Sequence, residues 1–172
     1  NRDEGLWPDW IESEQGTPPP KRVGFGELRI TLINHSTVLI QMDSLNILTD
    51  PVWSETIGSM GFIGPDRRRD AGLKFEDLPP IDYVLVSHNH YDPLDLPTLK
   101  QLMEKFNPVF LVPLGNKNLL IENEIINTYE LDWWDEFELM QNIKLTFVPA
   151  QHFSMRNLCD RNTTLWGGFV IS

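Results

Sequence analysis

His88 and His90 stand two residues apart, and Asp92 follows at the same interval. Side chains spaced this way can turn toward one point where a strand gives way to a loop. Neutral imidazole nitrogen suits a borderline ion such as zinc, and a carboxylate adds a harder oxygen donor. A further imidazole, His152, follows Pro149-Ala150-Gln151 directly after a β-rich run, Lys144–Val148. Of the four histidines in the chain, three thus fall at the ends of expected strands. The competing view is a polar loop that happens to carry two histidines, and for His152 a half-buried structural residue.

The elements that would position these groups follow from local pattern. Tyr83–Val86 is a continuous apolar run, as expected of a strand covered on both faces. After the His88–Asp92 loop the pattern predicts a helix over Leu96–Phe106, with Asp95 as N-cap and Pro97 in the first turn. Leu99, Leu102, Met103 and Phe106 fall on one face of it. Upstream, Leu28–Ile33, Thr37–Met42 and Leu45–Thr49 are β-rich runs joined by short polar turns, which predicts an antiparallel meander. Val109–Val112, Tyr129–Leu131, Lys144–Val148 and Thr164–Ile171 are further expected strands, and Asn116–Glu122 a short helix. Residues 1–26 form an irregular, proline-bearing lead-in, expected to lie across the surface on Trp7 and Trp10. Residues 27–172 then make one α/β layered domain. Its last strand runs to the final residue with no closing element, which suggests that further chain belongs to it.

Composition narrows the partners. The chain has 172 residues, 41% of them apolar, enough for one core. A formal net charge of −11 works against a nucleic-acid backbone as ligand. A small phosphate-bearing substrate stays open, because a bound metal supplies positive charge locally. The single cysteine, Cys159, cannot form an intrachain disulfide and fits a reducing, cytoplasmic compartment. A periplasmic or peripheral membrane location is the alternative. No apolar run is long enough to span a bilayer. The chain begins at Asn1 rather than Met, which leaves room for residues upstream.

Several stretches together resemble one branch of the metallo-β-lactamase superfamily, the branch of N-acylphosphatidylethanolamine-hydrolysing phospholipase D and its bacterial relatives. They are His35-Ser36-Thr37-Val38-Leu39-Ile40, Leu48-Thr49-Asp50-Pro51, Gly64-Pro65-Asp66-Arg67 and Leu78-Pro79-Pro80-Ile81-Asp82. Ser87-His88-Asn89-His90-Tyr91-Asp92, Leu131-Asp132-Trp133-Trp134, Gln151-His152-Phe153-Ser154 and Leu165-Trp166-Gly167-Gly168 complete the series. The resemblance covers residues 28–172 in order. It implies the N-terminal half of an αββα sandwich with a dinuclear, usually zinc, site. By that likeness His88, His90 and His152 hold the first metal and Asp92, the expected catalytic acid, serves the second. A zinc-bound hydroxide would attack a phosphodiester such as N-acylphosphatidylethanolamine. Asp50 resembles the acid that takes the free N–H of a ligating histidine. Read without the likeness, Asp50 is an ordinary turn aspartate before Pro51.

Two departures stand out. The family motif continues with a histidine after the aspartate, and this chain has Pro93 there. The bridging aspartate and last histidine of the family come from a C-terminal half that this sequence does not contain. One zinc ion, rather than two, is therefore expected here. Three readings stay open: a phospholipase-D-like hydrolase, a metal-binding remnant without turnover, and a sugar-phosphate lactonase of the same fold. Self-association or a missing half is expected to cover an apolar face. Arg156, Arg161 and Arg67–Arg69 can meet a phosphate or simply pair on the surface. Trp53, Met60, Phe62 and Ile63 can form an apolar lip toward lipid or pack in the core. His35, in a turn, is read as a supporting residue rather than a ligand.

Overall fold

Alternation decides the architecture. In Ile47-Leu48, Val84-Leu85 and Phe110-Leu111 successive apolar side chains point to opposite faces of a strand, so both faces need cover. The computed structural model, which describes residues 8–58, 64–157 and 159–172, gives them that cover. A sheet of six strands runs in the order β1 (Leu28–Asn34), β2 (Thr37–Met42), β3 (Leu45–Thr49), β4 (Tyr83–Leu85), β5 (Val109–Pro113), β6 (Thr128–Leu131). The first three strands form the expected antiparallel meander, and β3 to β6 pair in parallel. A second sheet holds β7 (Glu136–Met140), β8 (Ile143–Val148) and β9 (Gly168–Ile171), all antiparallel.

Two cores separate the layers. On one face of the large sheet, Leu48, Val84, Val86, Phe110 and Val112 meet Leu99 and Leu102 of α1 (Leu96–Phe106) and Leu120 of α2 (Lys117–Glu122). On the other face, Ile47, Leu85, Leu111 and Leu131 meet Leu139, Leu145 and Phe147 of the small sheet. The described residues thus stack as helix, sheet, sheet, in the α/β order expected of a metallo-β-lactamase-type sandwich. Each fully buried Leu or Phe contributes roughly 1.5–3 kcal/mol by leaving water. The helix α1 has the predicted bounds, and Leu99 and Leu102 are buried on its inner face.

Asp95 holds the expected N-cap position of α1, but its side chain is used elsewhere. Its backbone carbonyl accepts the Leu99 N–H, but its carboxylate caps no helical N–H. The carboxylate instead accepts from the Ser54 N–H at 3.1 Å, the Ser54 hydroxyl at 2.7 Å and the Thr98 hydroxyl at 2.6 Å. It is buried, and those donors neutralise the cost of keeping it there. The long connection after β3 is thereby fastened to the start of α1.

The lead-in is also held differently from expectation. Trp7 lies outside the described residues, and Trp10 is largely exposed. Main-chain groups do the fastening: the Pro20 and Lys21 carbonyls accept from the buried side chains of Gln41 and Asn46, both at 2.9 Å. Arg22 forks onto Asp82, with one arm 2.9 Å from the carboxylate. No helix among the described residues is long and apolar enough to cross a membrane.

Candidate metal centre

The end of β4 is fixed before it reaches the histidines. The Val86 N–H continues the parallel ladder to the Leu111 carbonyl at 3.0 Å. Ser87 then uses every polar group it has. Its N–H donates to Oδ1 of Asp50 at 2.7 Å, and its carbonyl accepts the Gly167 N–H at 2.9 Å. Its hydroxyl lies 2.7 Å from Nδ1 of His88, which fixes that ring and leaves Nε2 pointing outward. Gly167 has to be glycine: a Cβ there would sit 2.4 Å from the Val148 carbonyl and 2.6 Å from the Phe147 ring.

His152 arrives from the small sheet. Its N–H and the indole N–H of Trp166 both reach the Ala150 carbonyl at 3.0 Å, which shapes the loop after β8. Trp133 packs edge-on to Trp166 and donates its indole N–H to the Trp166 carbonyl at 2.8 Å. The centre therefore straddles the two sheets at one end of the sandwich.

There the imidazoles of His88, His90 and His152 meet. Nε2 of His88 lies 3.0 Å from Nδ1 of His90 and 3.0 Å from Nε2 of His152. The candidate ligand atoms all fall within 4.8 Å of one another. An imidazole nitrogen offers one in-plane hydrogen or one lone pair, so ordinary hydrogen bonds satisfy two such neighbours poorly. Three nitrogens around one tetrahedral ion, each at about 2.0–2.1 Å from it, would stand about 3.3 Å apart. The donor set thus fits a metal ion with a fourth position left open.

Electrostatics prepares the same chemistry. Burial, then the neighbouring His90 and His152, pushes the His88 imidazole down to about 4. Burial and His152 also lower His90. Both rings therefore keep their lone pairs at neutral pH, as metal ligation requires. Phe153 packs edge-on against His90, with ring centres 4.7 Å apart, and shields one side.

Other expected site residues take up different positions. Asp92 is not part of the three-histidine group; its Oδ2 lies 2.9 Å from Nε2 of His35. Asp50 takes the Ser87 backbone N–H rather than a histidine N–H, because the Ser87 hydroxyl already occupies Nδ1 of His88. Its support is therefore one residue removed. Burial pushes the Asp50 carboxyl up to about 7, against the pull of the Ser87 N–H. Pro93 is buried in the turn where the Leu94 N–H reaches the His90 carbonyl at 3.0 Å.

Arg156 lies over the Tyr91 ring at 4.4 Å and donates to the Asn89 carbonyl at 3.3 Å and the Leu94 carbonyl at 2.9 Å. It braces the ligand loop. Arg161 lies over Phe153, and Arg68 pairs with Asp9. Trp53 belongs to the core, edge-on to Phe75, and is no lip; Met60, Phe62 and Ile63 lie outside the described residues. Cys159 is exposed. Sequence reasoning missed Ser87 and Trp166 as supports. Their signal was position alone, Ser87 abutting a ligand and Trp166 abutting the glycine pair.

A cleft of about 530 Å³ opens beside His90, lined also by His35, Asp92, Ile57, Phe153 and Met155. Its fold, its histidine cluster and a match of residues 45–172 to the β-lactamase superfamily domain place the chain in that family. Among its relatives is an N-acyl-phosphatidylethanolamine-hydrolyzing phospholipase D 1 from Caenorhabditis elegans. It is 38% identical over 151 residues, which cover 82% of this chain and 42% of the relative. The mitochondrial N-acyl-phosphatidylethanolamine-hydrolyzing phospholipase D of Saccharomyces cerevisiae is 32% identical, over 99% of this chain and 35% of its own length. The chain thus spans about two-fifths or less of these curated relatives. A metallo hydrolase from the archaeon Ignicoccus hospitalis shares the fold with a TM-score of 0.60 at 15% identity, over 84% of this chain and 55% of that one.

Proposed function

We propose that the chain carries the first metal position of a metal-dependent phosphodiesterase, with zinc as the ion and a phospholipid such as N-acylphosphatidylethanolamine as substrate. The observation that carries this reading is the meeting of three imidazole nitrogens beside a cleft that His90 lines. His88, His90 and His152 would hold the ion, which supplies Lewis acidity and positive charge toward a phosphodiester. Ser87 and Asp50 keep the ligand strand in place, and Phe153 limits water on one side. Ile57, Phe153 and Met155 give the cleft the apolar wall that an acyl-bearing substrate needs. The names of the relatives support the substrate class.

A second reading, metal binding without turnover, is favoured by one observation: the buried Pro93 next to Asp92 has no donor to offer. Incubation of the zinc-loaded protein with N-acylphosphatidylethanolamine vesicles separates the two. Release of phosphatidic acid, abolished by His90→Ala, is the result expected. Tight zinc binding with no cleavage of this lipid or of a simple aryl phosphodiester would favour the second reading.

A further inference from the structure

A cavity of about 450 Å³ lies apart from the histidine trio, lined by two tryptophans, Trp10 and Trp53, and by the carboxylates of Glu55, Asp66 and Asp70. We propose that this cavity is a binding site for an organic ammonium ion, a quaternary ammonium above all. It shares no lining residue with the metal cleft, so it stands with or without a bound metal.

Its walls are held from several elements. Two short stretches, 55–57 and 65–67, pair antiparallel through the Ile57 N–H to the Pro65 carbonyl at 3.0 Å and the Arg67 N–H to the Glu55 carbonyl at 2.7 Å. Ile57 and Pro65 of this pair line the metal cleft, whereas Glu55, Thr56, Asp66 and Arg67 line the cavity. Trp10 is placed there by its neighbours. The Ile11 N–H donates to the Arg68 carbonyl at 2.7 Å, and the Arg68 guanidinium donates to the Asp9 carboxylate at 3.1 Å. The Trp10 indole is 45% exposed, yet the main chain that presents it is anchored on both sides. Trp53 is fixed by its own donors: its main-chain N–H reaches the Thr98 hydroxyl at 2.9 Å, and its indole N–H the Leu73 carbonyl at 3.0 Å. With the indole N–H occupied, Trp53 has only its ring to offer the cavity.

Charge decides what such a space would take. Three carboxylates meet one guanidinium, that of Arg67, which donates to the Ser54 carbonyl at 3.1 Å. Asp66 accepts from the Thr56 hydroxyl at 2.7 Å. Among the described residues, Glu55 and Asp70 have no basic partner. An anion would be repelled, and a neutral apolar ligand would take water from the carboxylates and give nothing in return. The spacing speaks against a small metal ion, because among the described residues only the histidine trio brings three donors to one point. A cation whose charge is spread over several carbons needs no such convergence. Aromatic rings attract it through their faces, and carboxylates attract it at longer range. The volume also falls within the about 300–1,000 Å³ of small-molecule sites.

The test is a calorimetric titration of the purified protein with choline at fixed ionic strength. Dimethylbutanol, the uncharged carbon isostere of choline, is the control. Choline should bind saturably, and dimethylbutanol about tenfold more weakly or not at all. Trp10→Ala and Asp70→Asn should each weaken choline about fivefold or more, with zinc binding unchanged. Asp70→Asn keeps the size of the side chain, so its result stands even if Trp10→Ala loosens the lead-in. Competition by phosphatidylcholine vesicles, but not by phosphatidylglycerol vesicles, would support the site and assign its ligand to a lipid headgroup. Choline binding that neither vesicle disturbs would support it as a site for a free solute. No saturable choline binding would overturn the proposal. So would equal binding of dimethylbutanol, or a choline affinity unchanged in both variants.

Discussion

The two flanks of the large sheet have the same kind of strand and different surroundings. Across β3, β4 and β5 both faces are covered, by helices on one side and the small sheet on the other. Across β1 only one face is, and on β2 the other face is covered in part, where Ile40 packs against the small-sheet core. Ile33 and Leu39 are buried toward the helical side, whereas Leu28, Ile30 and Leu32 on the opposite face are each more than 60% exposed. Those three pair across the ladder with Met42, Ile40 and Val38, which are half-buried, so the open face is continuous and apolar. The difference teaches that alternation in a sequence tells which residues share a face, but not whether anything lies over it. The covered flank is also the one whose strand ends carry His88 and His90. A strand held on both faces gives ligands a rigid base, and the open flank contributes only His35, from a turn.

The sharpest way to break this comparison is to cut into each flank. Leu48→Ala, at a fully buried position, should cost about 2–5 kcal/mol in urea unfolding. Ile30→Ala should cost about 0.5 kcal/mol or less. Equal costs would mean that the β1 face is covered after all. Association is the next measure. An apolar patch of this kind is rarely left open by a soluble monomer. The protein should therefore self-associate and bind an apolar dye, and the triple change Leu28→Ser, Ile30→Ser, Leu32→Ser should abolish both in light scattering and fluorescence. A wild type that stays monomeric and dye-free would show the face to be inert.

Two smaller effects sharpen the covered flank. Ser87→Ala removes the partner of Nδ1 of His88 and should weaken zinc about 10-fold in a chelator competition. An unchanged affinity would mean that the strand end alone orients the ring. The smallest effect is on pH. Unfolded His88 takes its proton near 6.5, the folded residue only near about 4. Between those values the unfolded chain holds more protons, so this group lowers stability as pH falls. Asp50 does the reverse: its folded carboxyl holds a proton up to about 7 against 3.8 unfolded, so its contribution fades as pH rises. The two oppose each other between about pH 4 and 6.5. In the metal-free protein Asp50→Asn should make thermal stability fall more steeply on acidification through that window than it does in the wild type.

Much of this was legible in the sequence, for reasons that differ by element. The bounds of β2, β3 and α1 follow from alternation and helical periodicity with clear turn residues on either side. The histidine trio was legible because each ligand follows an apolar run. The strand β7 was missed: in Glu136-Phe137-Glu138-Leu139-Met140 the outward positions are acidic and the run borders an acidic turn, so charge masked the alternation. The last strand begins at Gly168 rather than Thr164, because the chain must first pass Gly167 against Phe147 and Val148. The His35–Asp92 contact joins residues 57 apart through two separate turns, and no local pattern encodes it.

Arg156 links the parts of the centre in time as well as space. Its guanidinium comes from the segment after His152 and grips carbonyls on either side of His90 and Asp92. The loop that bears His152 and the loop that bears His88 and His90 are thus joined by a route that does not pass through the ion. The two hydrogen bonds tie the loops together directly, so that an ion held by the three histidines would meet two coupled loops rather than two independent ones. The residence time of a bound metal would then depend on a side chain that is not among its candidate ligands.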